Sequence, residues 1–318
     1  MENIMTRFKA GETRALARII TLLENLDPDR EDLLKELFFL AGKAYVLGFT
    51  GSPGAGKSSL VDRVVKMLRL AGQSVGIIAV DPSSPFTGGA LLGDRVRMQD
   101  HALDKGVFIR SMGTRGNLGG LAMATKEVVT AMDAFGFDWV IIETVGVGQA
   151  ELDIMHVADT TVVVLTPGAG GAVQTIKAGI MEIADVFAVN KCDLPGSDKV
   201  VTEVRMMLEQ KPPQNGWKPP VIPVSSLTGQ GVEDLVKDIR NHRAYLADNG
   251  ILDSRRTERT RTETLDITIH KWRQQVLSQL ELPGQVNELL DKVAAREMDP
   301  YTAANKILAH VKPLKPGE

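Results

Sequence analysis

The chain of 318 residues has a single cysteine, Cys192, so no internal disulfide can form and the fold must rest on its core. With 43% hydrophobic and 24% charged residues it has the composition of an ordinary globular protein, and its length buries a substantial core without staples. It also lacks strong charge of either sign. Lys and Arg number 37 against 40 Asp and Glu, a net charge of −3, which gives no field that asks for nucleic acid or a membrane surface as partner. No apolar run approaches the length of a bilayer span. The opening MENIMTRFKAGETRALARII has no apolar signal core followed by a small-residue cleavage site. Repeats and low-complexity segments are missing too. These absences lead to the expectation of a cytoplasmic protein, either one large α/β domain with helical additions or two domains.

What is present is an alternation of two patterns. Short runs rich in Val and Ile, without helical spacing, lie at Tyr45–Phe49, Val75–Val80, Trp139–Ile142, Thr161–Leu165, Val186–Val189 and Val221–Val224. They read as strands buried on both faces. Between them, 57–71, 119–135, 171–183, 198–210 and 231–247 read as helices. That is the βαβ rhythm of a doubly wound, mostly parallel sheet. Ahead of it, Leu16, Ile19, Ile20 and Leu23 form one helical stripe, and Leu33, Leu34, Leu37 and Phe38 form another after the break at Asp27-Pro28. Behind it, the charged stretch 254–268 reads as a solvated helix face, with helices expected around 284–296 and 300–311. The expected organisation is a helical extension at 1–43, an α/β domain at 44–248 and a helical C-terminal region at 249–318. Two connections are long: 81–118, with DPSSPFTGGALLGD and SMGTRGNLGG, and 210–220, which reads as an exposed connector. Long ordered loops tend to carry function.

The strand Tyr45–Phe49 runs into Gly51-Ser52-Pro53-Gly54-Ala55-Gly56-Lys57-Ser58, with Ser59 next. The octapeptide matches G-x-x-x-x-G-K-[ST] at every fixed position. The glycines let the backbone curl until several N–H groups converge on one anion, and the following helix turns its positive end to the same point. Lys57 puts an ammonium between two phosphates, and Ser58 offers a hydroxyl to Mg²⁺. Strand before and helix after are the context this loop needs.

The base is named by Asn190-Lys191-Cys192-Asp193, directly after the strand Val186–Val189. A carboxylate there accepts from the ring N–H and the exocyclic amine of guanine. Adenine presents neither in that arrangement, so Asp193 selects GTP and GDP. Asn190 and Lys191 brace the loop and cover the base. Ser225-Ser226-Leu227, after the strand Val221–Val224, supplies a backbone wall. Cys192 is a bystander.

Phosphoryl chemistry needs oxygen ligands and charge near the γ-phosphate. Glu143, ending the strand Trp139–Ile142, is placed to hold Mg²⁺ directly or through water, and Gly146 to approach the γ-phosphate with its N–H. Asp81 and Asp94 are further Mg²⁺ or switch candidates, or else loop-capping aspartates. The expected catalytic set is Lys57, Asp94 and Glu143, and the expected metal set is Ser58, Asp81 and Glu143. Many GTPases orient water with a glutamine just after the equivalent of Gly146. Here Val147 stands there and the nearest glutamine is Gln149, so slow intrinsic turnover is expected. Arg95, Arg97, Arg110, Arg115 and Lys177 are candidate cations for the transition state.

GSPGAGKSS, AVDPSSPFTGGALLGDRVRM, ETVGVGQAELD and NKCD, in this order, resemble the MeaB (ArgK/MMAA) GTPases of the SIMIBI class over nearly the whole chain. Ser59, commonly threonine there, is the one small departure. The resemblance implies a homodimeric GTPase chaperone that gates adenosylcobalamin delivery to an acyl-CoA mutase, typically methylmalonyl-CoA mutase, and protects it. It also implies dimerisation through the C-terminal helices and a switch at Pro167–Gly171 running on to Lys177. The family carries an older label, a kinase acting on an amino-acid transport system. Two other readings stand beside the chaperone: that kinase, and a metal-delivery GTPase of the same class. The second wants clustered Cys and His, whereas His101, His156, His242, His270 and His310 are scattered in sequence.

Overall fold

A computed structural model describes residues 2–81, 101, 103–113, 123–144, 154–168, 181–210, 216–280 and 285–310. It divides into two compact units, Met1–Asp253 and Ser254–Glu318.

The first unit is built on a seven-stranded sheet. Its strands are β1 Tyr45–Thr50, β2 Val75–Asp81, β3 Val107–Gly113, β4 Trp139–Thr144, β5 Thr160–Leu165, β6 Val186–Val189 and β7 Val221–Pro223. The spatial order is β3-β2-β4-β1-β5-β6-β7, and every neighbouring pair is parallel. β1 is central, flanked by β4 (Tyr45 opposite Trp139) and by β5 (Leu47 opposite Thr160). The buried runs β1, β4, β5 and β6 have no exposed residue, as sheets covered on both faces require.

Alternation along each strand sends side chains to two separate cores. On one face Tyr45, Leu47, Phe49, Ile141 and Val164 pack under α4 (Lys57–Leu70) and α7 (Val232–Asp248). On the other, Val46, Val140, Ile142, Val163 and Phe187 pack under α5 (Met123–Phe135), α6 (Ser197–Glu209) and the N-terminal helices. Those helices are α1 Glu2–Lys9, α2 Thr13–Glu24 and α3 Arg30–Phe38. In α2 the expected stripe Leu16, Ile19, Ile20 and Leu23 is fully buried. Each such side chain contributes about 1.5–3 kcal/mol of transfer free energy. In α3 the stripe is partial. Leu33 and Leu37 are buried, but Phe38 turns outward and meets Phe39 edge to face at 5.6 Å.

Polar bonds fasten the N-terminal helices to the sheet layer. Arg30 grips Glu127 of α5 through Nε (2.7 Å to Oε2) and Nη2, and Arg110 of β3 pairs with Glu24. The Asp133 carboxylate accepts from the amides of Gly42, Lys43 and Ala44 at 2.7, 3.0 and 2.8 Å. These capture the chain just before it enters β1.

Strand β3 lies inside the connection 81–118, where the sequence suggested a long loop. Its residues VFIRSMG carry Arg110 and Ser111 in mid-strand, and all but Met112 are half-buried. An edge strand needs only one good face, so no continuous apolar run marks it. Pairing at β7 continues one residue past its end, because the Val224 amide donates to the Val189 carbonyl at 2.8 Å.

In the second unit, α9 Gln285–Ala294 and α10 Pro300–His310 pack on each other. The long α8, Ile251–Leu280, leads into it and exposes Leu265, Ile269 and Trp272. No described helix is long and apolar enough to cross a membrane.

Candidate functional site

Because all strands run the same way, the segments that leave their carboxyl ends gather on one edge of the sheet. The phosphate-loop candidate leaves β1, Glu143 ends β4, and Asn190–Asp193 leaves β6. Ser225–Leu227 follows β7, and Asp81 ends β2.

The loop takes its form from two glycines. Gly51 has φ +136°, and a Cβ there would drive into the Val164 carbonyl of β5. Gly56 has φ +85°, and a Cβ there would collide with the Asn190 amide. Only glycine satisfies both the dihedral and the approach. Lys57 begins α4 and is 6% exposed, with Nζ donating to the carbonyls of Gly51 (2.6 Å) and Ser52 (3.1 Å). The ammonium is therefore fixed beneath the loop whose amides it complements. Gly54 faces open space, and there its φ of +75° alone calls for glycine.

Ser58, one residue into α4, donates from Oγ to Oε1 of Glu143 at 2.5 Å. Both are about 95% buried, at 6% and 5% exposure. The next residue, Thr144, bonds through Oγ1 to Thr50 Oγ1 at 3.1 Å, tying the ends of β4 and β1 together. Hard oxygens from a serine and a carboxylate, side by side, are the one or two protein ligands a Mg²⁺ ion keeps when phosphates and waters supply the rest. The donor set thus fits that ion. Asp81 ends β2 on the same edge of the sheet. Asp94 and Gly146 lie outside the described residues, as do Val147, Gln149, Arg95, Arg97, Arg115, Lys177 and positions 169–171 of the switch candidate. Arg110, expected among the cations, instead faces the N-terminal helices, where it meets Glu24 and, at 3.3 Å, Thr21.

The side expected to hold the base is organised by Asn190, which has no solvent exposure. Its Nδ2 donates to Ala55 O (2.8 Å), Gly56 O (3.4 Å) and Ser226 Oγ (3.3 Å), and its Oδ1 accepts from the Ser226 amide at 3.0 Å. One side chain thus locks the phosphate loop to the loop after β7. Lys191 adopts φ +60°, unfavourable for a residue with a Cβ, and its Nζ donates to Gly54 O at 2.9 Å. Its stem therefore crosses from the base loop to the phosphate loop. Asp193 is exposed to solvent. Burial, and then the neighbouring Asp193 carboxylate, pushes the Cys192 thiol up, which suits an unreactive position.

Sequence reasoning missed Arg63. It projects from α4, donating from Nε to Ser226 O (2.9 Å) and from Nη2 to Leu227 O (2.8 Å). No motif marks it; a lone cation inside an amphipathic helix carries no signal of what lies across from it.

Known proteins resemble this chain over most of its length. A family model described as "Methylmalonyl Co-A mutase-associated GTPase MeaB" matches residues 16–281. A protein of Pyrococcus abyssi whose name places it among GTPases is 45% identical over 314 residues, covering 98% of this chain and 97% of that one. The mouse "Methylmalonic aciduria type A homolog, mitochondrial" is 30% identical over 333 residues, covering 98% of this chain and 80% of its own. Among solved structures, an "LAO/AO transport system kinase" superposes with a TM-score of 0.72 at 25% identity, covering 98% of this chain and 97% of that chain.

Proposed function

We propose, from the premise that this chain belongs to the MeaB family of methylmalonyl-CoA mutase-associated GTPases, that it uses Mg²⁺-dependent GTP hydrolysis to gate cofactor delivery to an adenosylcobalamin-dependent acyl-CoA mutase and to protect that enzyme. The chain is a GTPase of this family. The single observation that carries the guanine and phosphate reading is Asn190, whose side chain bonds both the phosphate loop and the loop after β7. It makes occupancy of the base pocket and order in the phosphate loop one event.

In this reading the amides of Gly51–Ser58 and the Lys57 ammonium hold the β- and γ-phosphates. Asp193 accepts from guanine, and Lys191 covers the ring. Ser58 and Glu143 hold Mg²⁺, which when bound neutralises charge developing on the phosphate oxygens. Because Ser58 is the donor to Glu143, its oxygen keeps lone pairs with which it would hold the ion. Asp81 and Asp94 are assigned to the metal and water side, and Gly146 to the γ-phosphate. Without a glutamine next to Gly146, intrinsic turnover is slow and a partner accelerates it. The domain plan follows: residues 1–43 brace the GTPase domain 44–248, and 249–318 mediate a homodimer.

Hydrolysis by the purified protein, with and without methylmalonyl-CoA mutase, tests this. A turnover rate that changes with mutase and saturates at a fixed ratio is expected. Indifference to every acyl-CoA mutase offered would sink the partner assignment and leave the GTPase. The name of the structural neighbour favours a second reading, a kinase. Label from γ-labelled GTP released wholly as free phosphate, with none on protein, rules for the hydrolase. No observation among the described residues favours the metal-delivery reading, since no group of three or more His, Cys, Asp or Glu stands together there.

A further inference from the structure

Arg63 holds two consecutive carbonyls of the loop after β7, those of Ser226 and Leu227. In a trans peptide the C=O of one residue and the N–H of the next point in opposite directions. Fixing the Ser226 carbonyl toward α4 therefore fixes the Leu227 N–H away from α4. The other amides of this loop are spent inside the protein. Ser225 N donates to Gln230 O at 2.9 Å, Ser226 N to Asn190 Oδ1 at 3.0 Å, and Thr228 N to Ser225 Oγ at 3.2 Å. Among the described residues the Leu227 amide has no such bond, and Leu227 is 77% exposed.

We propose that Arg63 is a specificity-positioning residue: it aims the one unspent amide of the loop, Leu227 N–H, at the 6-oxo group of a guanine base. This rests on the guanine reading above. Guanine offers an acceptor at that position, where adenine offers an amine donor that would meet the Leu227 donor head-on. Asp193 reads the ring N–H and the exocyclic amine next to it, so the two loops together read all three groups along the edge that distinguishes guanine. Arg63 touches neither base nor phosphate; it acts through the peptide it holds. A guanidinium suits the task because its planar fork spans two neighbouring acceptors, whereas a lysine ammonium is a point donor.

The test is equilibrium binding of GDP and 6-thio-GDP to the full chain and to Arg63→Ala. The thio analogue keeps every contact to Asp193 but puts a weakly accepting sulfur where the oxygen was. Arg63→Ala is expected to weaken GDP by roughly tenfold, the worth of one aimed hydrogen bond. The loss for 6-thio-GDP is expected to be clearly smaller, with kcat at saturating GTP little changed. Arg63→Lys should fall between, and supplies the same comparison if Arg63→Ala lowers the yield of folded protein. Equal losses for both nucleotides, or none, overturn the assignment. If the unaltered protein itself fails to prefer GDP over ADP, the guanine reading fails first and takes Arg63 with it, an outcome distinct from the other two.

Discussion

Ser58 Oγ and Glu143 Oε1 stand 2.5 Å apart, joining the first turn of the phosphate-loop helix to the end of β4 with both side chains nearly sealed from solvent. A carboxylate is costly to bury unless partnered. Its place beside the serine in the first turn of α4 is what makes it a metal-ligand candidate rather than a loop cap. Glu143→Gln keeps the shape and the hydrogen bond while removing the charge. Mg²⁺-dependent GTP hydrolysis is expected to fall on the order of 100-fold with the thermal midpoint nearly unchanged. A Mg²⁺ titration of the rate checks it, and a variant with the original rate and metal dependence would remove Glu143 from the site.

Asp193 is exposed, so its charge costs the fold little, and its replacement isolates recognition from stability. Asp193→Asn should lower GTP affinity by roughly 100-fold or more, as two hydrogen bonds to a charged acceptor are lost. Preference should move toward xanthine nucleotides, whose 2-oxo group suits an amide donor. Competition between GTP and XTP for hydrolysis reads the switch, and unchanged preference would take Asp193 out of the base pocket.

Much of this was legible in the residues, for reasons that differ by element. β1, β4, β5 and β6 are buried on both faces, and that burial writes a continuous apolar run. The phosphate loop and Asn190–Asp193 are legible because their chemistry needs fixed types at fixed spacing. β3 was not, since an edge strand tolerates Arg110 in its middle. Arg110 illustrates a second limit. A cation's role is set by its partner, and Glu24, far away in sequence, decides that Arg110 ties the N-terminal helices down. Arg63 escaped for the same reason, its partners being backbone carbonyls that no sequence pattern records.

Asn190 joins three segments from a site with no solvent. Truncating it leaves Ala55 O and the Ser226 amide without their protein partner. Asn190→Ala is expected to destabilise the fold by about 1–3 kcal/mol and to weaken nucleotide binding as well. Ser226→Ala, which removes only the 3.3 Å contact from Asn190 Nδ2 to Ser226 Oγ, should cost under about 1 kcal/mol. Denaturant midpoints of the two variants decide it; equal costs would mean that Asn190 is not the clasp.

Asp104 gives the fold an acid-sensitive tie. Its carboxylate takes Arg69 Nε at 2.8 Å and Nη2 at 2.9 Å, and the Gly106 amide at 2.8 Å. The Arg69 hydrogen bonds first, then the Gly106 amide, hold its carboxyl below the usual range. With the folded value depressed, the unfolded chain binds the proton more readily. The stabilisation is therefore complete above the unfolded carboxylate value of about 3.9 and is lost as pH falls through the folded one. Asp104→Asn should flatten the acid limb of a stability–pH curve below about pH 4 and leave less stability at neutral pH. An acid limb of unchanged steepness would remove Asp104 from that transition.

The central place of β1 has a consequence for how the protein comes into being. β1 pairs only with β4 and β5, and a Cβ-free Gly51 nestles on Val164 of β5. As the chain leaves the ribosome, the segment that carries the phosphate loop has neither of its neighbouring strands until synthesis has passed Thr144 and lacks the second until Leu165, and Asn190 follows later still. The nucleotide-binding edge therefore assembles late and all together, through contacts of long sequence separation, which fold slowly. Until then the nascent chain carries an unpaired, Val- and Leu-bearing strand, the kind of segment that attracts cellular chaperones and, without them, aggregates.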